Sequence, residues 1–233
     1  MSSAQAGEVT VAVAANFATP MREIAAAFAQ DTGHEAVLVT GSTRYFYAQI
    51  KQGAPFDVLL AADSETPAQL IAEGWAVAGL TYAVGRLVLW QRKVGASEQL
   101  REQFARGAFE SLAMADPKLA PYGVAAMQVL SAMGLAQANT FRLVLGHSVS
   151  QAYQFVATGH ATLGLVAASQ VMRDGKVLAG TVWPVPAHLH APIRQDAALL
   201  RRAQQRPAAL ALMRYLQSAS AQAVIQSYGY GFE

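Results

Sequence analysis

The feature that most narrows the possible folds is a repeated change of hydrophobic period. Short, densely apolar runs give way to stretches with apolar residues three and four apart. That alternation is the pattern of an α/β protein with mainly parallel sheets. Residues 8–15 (EVTVAVAA) read as a buried strand, and 19–30 as a helix whose Met21, Ile24, Ala25 and Phe28 share one face. A strand at 36–40, a helix at 43–52, a strand at 57–62 and a helix at 65–73 follow. A second series places strands at 87–91, 111–115, 142–145 and 162–166, with helices near 98–106, 121–133 and 148–157. A short helix from Ala168, extended segments at 180–184 and 191–198, and helices near 206–217 and 219–227 close the chain. The patterns weaken at 81–86 and 187–195, which are therefore the expected crossings between two lobes.

Composition excludes several function classes. The 233 residues exceed one average domain, and 53% hydrophobic against 14% charged describes a well-cored protein rather than a disordered one. A net charge of +2, with no basic stripe interleaved with aromatics, argues against nucleic acid. No run approaches the roughly 20 apolar residues of a membrane helix. The absence of cysteine excludes disulfide and thiolate chemistry. Residues 1–7 (MSSAQAG) have neither a basic n-region nor an apolar h-region, so the protein is expected either to be cytoplasmic or to have had a signal peptide removed. An α/β enzyme is the competing class. Against it, the chain shows no Gly-x-Ser-x-Gly elbow, no Walker loop and no Gly-x-Gly-x-x-Gly.

Four places share one design, in which small or hydroxyl-bearing residues follow a strand and open a helix. They are Ala15-Asn16-Phe17, Gly41-Ser42-Thr43, Pro121-Tyr122-Gly123 and Ser148-Val149-Ser150. Helix N-termini carry N–H groups without intrahelical partners and a partial positive charge, so they hold anions without a cationic side chain. Any one of these alone is more readily an ordinary N-cap. Two in each half of a doubly wound chain point to a ligand beyond the carboxyl ends of the strands.

At these residues the chain resembles the periplasmic molybdate/tungstate-binding proteins. The resemblance runs through VAVAANFATPM (11–21), GSTRYFYAQI (41–50), GAPFDVLLAAD (53–63), DPKLAPYG (116–123), GLVAAS (164–169) and the closing segment 222–232. Gly-Ala-Pro-x-Asp followed by Ala-Asp is its most specific piece. It implies a two-lobed periplasmic binding protein fold, type II-like, with residues 8–82 plus 193–233 as the first lobe and 83–192 as the second. The ligand is expected in the interlobe cleft, and no catalysis is expected. The implied contacts are Asn16 with the Ala15 amide, Thr43 with Ser42 beside it, Tyr122, and the Val149 amide. Ala167 stands where some members carry a tyrosine, so the aromatic hydroxyl is expected from Tyr122.

The same resemblance implies a monomeric receptor in the periplasm that delivers molybdate or tungstate to the membrane permease of an ABC importer. No cofactor is expected, and metal enters only as the oxyanion. The donor set contains no carboxylate, so a protonated phosphate would lack an acceptor, and sulfate is expected to fit loosely because its bonds are shorter. Another tetrahedral oxyanion such as sulfate is the alternative ligand. Arg44 reads as a solvated surface residue, because its charge at a helix start opposes the dipole. Tyr45, Phe46 and Tyr47 read as packing residues, Asp63 and Asp116 as turn-formers, and His188 and His190 as exposed loop histidines.

Overall fold

The computed structural model describes residues 6–138 and 140–232, which divide into two units. The first takes the chain up to Ala83, Arg194–Gln226 and the residues from Phe232; the second takes Val84–Ile193 and Ser227–Gly231.

In the first unit, strands β1 (Glu8–Ala14), β2 (Glu35–Gly41), β3 (Val58–Leu60), β4 (Ala76–Gly85) and β12 (Ile193–Leu200) form a sheet in the order β2-β1-β3-β12-β4. β1 runs parallel to β2 and β3, and β12 runs antiparallel to β3. Val9, Val11, Ala12, Val13 and Ala14 of β1 are all buried, as in a sheet covered on both faces. The helices are α1 (Ala18–Thr32), α2 (Thr43–Lys51), α3 (Glu65–Ala72), α8 (Pro207–Tyr215) and α9 (Ala219–Ser227). Met21, Ile24 and Phe28 form the fully buried face of α1, which ends at Gly33 in the left-handed region (φ 73°), with its N–H on the Ala29 carbonyl at 3.0 Å. Phe46 and Ile50 of α2 pack with Phe56, Leu59 and Leu70, and the Phe46 and Phe56 rings meet edge-on at 5.4 Å.

One carboxylate sits inside this core. Asp57 is fully buried, accepts the Thr10 N–H at 2.9 Å, and takes Arg206 Nη1 on both oxygens at 2.7 Å. Arg202 stands farther off, 3.7 Å away. A buried charge is tolerable only with such partners.

The second unit carries β5 (Leu87–Gln91), β6 (Ser111–Ala115), β7 (Arg142–Gly146), β8 (Leu163–Ala167) and β11 (Thr181–Pro184), in the order β11-β5-β8-β6-β7. β6 is parallel to β7 and β8, while β5 is antiparallel to β8 and β11. Helices α4 (Ser97–Ala105), α5 (Pro121–Ala132), α6 (Val149–Ala157) and α7 (Ala168–Val171), and the two-residue strands β9 (Met172–Arg173) and β10 (Lys176–Val177), complete it. The tail joins this unit. Val84 and Gly231 bridge, the Tyr230 hydroxyl donates to Ser169 Oγ at 3.0 Å, and Arg173 lies over the Tyr228 ring at 4.0 Å.

The structure corrects four expectations. The sheets are mixed rather than mainly parallel, because β5, β11 and β12 run against their neighbours. Residues 76–85 form a strand that the sequence pattern did not reveal. It is an edge strand with two glycines and an exposed middle, so it lacks a buried apolar rhythm. Ala15 does not extend β1 but opens a 3-10 turn, Ala15–Phe17. Finally, 193–233 does not stay whole in the first unit, since Ser227–Gly231 groups with the second.

Arg206→Gln is expected to lower unfolding free energy by about 2 kcal/mol, the scale of a hydrogen bond to a charged group. Arg202→Gln, farther away and half-exposed, should cost about 1 kcal/mol or less. Urea unfolding of both variants checks this; equal losses would mean that the close contact of Arg206 counts no more than the distant Arg202.

Candidate functional site

In the first unit, parallel pairing sets Ala14 against Gly41 as the last residues of β1 and β2. The chain therefore leaves two neighbouring strands at the same level. Ala15-Asn16 and Ser42-Thr43 are the first residues beyond them, and each segment leads into a helix. Neither Ala14, Phe17 nor Ser42 makes a side-chain cap to the helical turn that follows it. Asn16 and Thr43 are buried, at 3% and 1% exposure. Thr43 Oγ1 accepts the Ala62 N–H at 3.0 Å, tying the start of α2 to the segment beyond β3. The hydroxyl proton of Thr43 is not used in that bond, so the side chain can still donate.

Asp63 closes this edge. Its Oδ1 accepts the Thr66 N–H at 2.9 Å and its Oδ2 takes the Thr66 hydroxyl at 3.1 Å, so the carboxylate fastens the start of α3. Burial pushes the Asp63 carboxyl above the ordinary aspartate value; the two Thr66 bonds pull it back in part, Glu65 adds to the rise, and Arg44 opposes it. Arg44 itself is exposed.

The second unit repeats the arrangement. Ala115 pairs with Gly146 at the ends of β6 and β7, and the Asp116 N–H reaches the Gly146 carbonyl at 2.7 Å. Beyond β6, Asp116 Oδ1 accepts the Lys118 N–H at 2.8 Å, the turn-forming role expected of it. Pro121 then opens α5, whose N-cap, Ala120, has no side-chain acceptor. Tyr122, in that first turn, is 2% exposed. Beyond β7, Ser148 caps α6 by accepting the Gln151 N–H at 3.3 Å, and Gln151 returns its Oε1 to the His147 N–H at 2.7 Å. Val149, the first residue of α6, is buried at 3% exposure, so its N–H heads the helix dipole away from solvent.

The fold thus brings Ala15, Asn16, Ser42 and Thr43 to one sheet edge in the first unit, and Tyr122 and Val149 to one edge in the second. His188 lies in the turn Ala187–Leu189 and His190 just after it, where His190 Nδ1 contacts the Ala191 carbonyl at 2.7 Å. Sequence reasoning missed the residues that hold these edges. A Cβ on Gly123 would fall 2.4 Å from the Ala115 carbonyl oxygen, and one on Gly146 would fall 2.9 Å from the Ala152 nitrogen. Only glycine lets α5 and α6 start so close to the strand ends. Gln195, fully buried, accepts from Asn16 Nδ2 at 2.8 Å, and Tyr82 lies beside it. Gly123 stood within a quoted motif, but Gly146 did not; Gln195 had no local signal, since its partner is 179 residues away.

These are the features of a solute receptor of the two-unit α/β type, and residues 9–231 match the bacterial extracellular solute-binding proteins, the family to which the chain belongs. The molybdate-binding protein of Azotobacter vinelandii is 52% identical over 233 residues, 99% of this chain and 92% of its own length. That of Rhodobacter capsulatus is 45% identical over 230 residues, 97% of this chain and 89% of its own. The solved periplasmic molybdate-binding protein of Azotobacter vinelandii superposes with a TM-score of 0.90 at 35% identity, covering 97% of this chain and 99% of that one.

Because the folded Asp63 carboxyl is raised, its contribution to stability is full below the unfolded pKa and is lost as pH rises through the folded one. Asp63→Asn keeps an acceptor for Thr66 and removes the charge. It should melt above the parent at pH 7, and the gap should close towards pH ~4. Thermal melts from pH 4 to 8 test this; a deficit that does not change with pH would show that the Thr66 bonds outweigh desolvation.

Proposed function

We propose that the chain is a receptor for molybdate, and for the nearly isosteric tungstate, which it captures in the periplasm and passes to the permease of an ABC importer. The supporting observation is the pairing of neutral helix starts at registered strand ends, present once in each unit. Ala15, Asn16, Ser42 and Thr43 are the proposed donors of the first unit, and Tyr122 and the Val149 amide those of the second. All are neutral. Fixed dipoles and hydroxyls bind a fully deprotonated dianion well and offer a protonated phosphate no carboxylate to donate to. Family membership places the chain with binding proteins rather than enzymes.

Molybdate and tungstate should raise the melting temperature while sulfate and phosphate at equal concentration leave it nearly unchanged. At about 100 times its Kd a ligand adds roughly 2.7 kcal/mol. Equal shifts with sulfate would overturn the molybdate assignment and leave the receptor fold intact.

Asn16→Ala should weaken molybdate by about tenfold or more, the scale of a lost hydrogen bond to an ion, whereas exposed Arg44→Ala should change Kd little. Titration calorimetry at one salt concentration reads both. A larger loss from Arg44→Ala would replace the neutral-donor site with a cationic one.

A further inference from the structure

Asn16 is held from behind. Its Nδ2 donates to Gln195 Oε1 at 2.8 Å, and both side chains are buried. The Tyr82 hydroxyl, which donates to the Ala61 carbonyl at 2.9 Å, lies 3.4 Å from the same Gln195 oxygen. The Tyr82 ring packs on Phe17, the neighbour of Asn16, with centroids 4.7 Å apart. Tyr82 stands next to the residue where the chain leaves the first unit, and Gln195 next to the residue where it returns.

We propose that Gln195 is a positioning residue for oxyanion binding, acting by fixing the carboxamide of Asn16. The final torsion of an asparagine is broad and nearly twofold. Half a turn exchanges a donor nitrogen for an acceptor oxygen of almost the same size, and an oxyanion attracts the first and repels the second. With one N–H of Asn16 Nδ2 held on Gln195 Oε1, the rotamer that keeps the second N–H of that nitrogen for an anion is the favoured one. Gln195 is also neutral, so it orients the donor without placing a negative charge near an anion. The assignment rests on Asn16 being a ligand contact, as proposed above.

The test is a double-mutant cycle read by molybdate titration calorimetry on the full chain: parent, Asn16→Ala, Gln195→Met and the double variant. Gln195→Met keeps the length and removes the acceptor. It should weaken molybdate about tenfold, the loss of roughly 1.4 kcal/mol. On the Asn16→Ala background the same change should add less than about twofold, since its effect runs through a side chain no longer present. Purely structural damage would add in full on both backgrounds, and that result, or an unchanged Kd for Gln195→Met, overturns the proposal. Melting without ligand monitors the fold. If Gln195→Met does not fold, Gln195→Asn, which withdraws the acceptor by one methylene, enters the same cycle with the same expectation. Failure of the parent to bind molybdate would overturn instead the oxyanion reading on which this rests.

Discussion

Everything proposed for this chain depends on the register of two parallel strand pairs. Parallel strands send their chains off in one direction, so residues that follow paired positions emerge together. Ala14 opposite Gly41, and Ala115 opposite Gly146, make this happen once in each unit. A slip of one residue would turn the side chains of a strand to the opposite face and separate the loops. In each pair one strand, β1 or β6, is largely buried and so is held by the apolar core, while its partner, β2 or β7, is largely exposed and takes its register from the backbone ladder.

The same division separates scaffold from site within the most specific motif of the chain. Asp57 looks functional as a lone acid among apolar residues. Its partners are Thr10 and Arg206, which makes it a rivet between β1, the entry to β3 and the start of α8. The work of Gly123 is also structural. With a Cβ, α5 could not begin against the carbonyl of Ala115, and Tyr122 beside it would be displaced. A motif can therefore be specific because it shapes the ground on which other residues bind.

Much of the fold was legible because its periods were strong. The helices at α1, α2, α5 and α6 and the buried strands β1, β6 and β8 carry their burial pattern in local sequence. The neutral helix starts were legible too, since Asn16, Thr43, Tyr122 and Val149 follow directly from those elements. What escaped was non-local. Strand direction in β5 and β12 is set by partners far along the chain, and β4, exposed along its middle, has little apolar rhythm to read. Gln195 sits in β12 between Arg194 and Asp196 and reads as one more polar residue there, and its hydrogen-bond partner lies 179 positions earlier.

The placement of β12 has a consequence for the order of assembly. It lies between β3 and β4 in the sheet of the first unit, yet it is made only after almost all of the second unit. A chain emerging from the ribosome can complete the second sheet while the first still has an empty lane between β3 and β4, with Asp57 lacking its arginine. Closing that lane requires contacts across well over a hundred residues, a slow kind of step. Because the last strand also brings Gln195 to Asn16, a half-built chain leaves the Asn16 carboxamide without that buried acceptor. Both polar pairs, Asp57 with Arg206 and Asn16 with Gln195, therefore close only when the last part of the chain arrives.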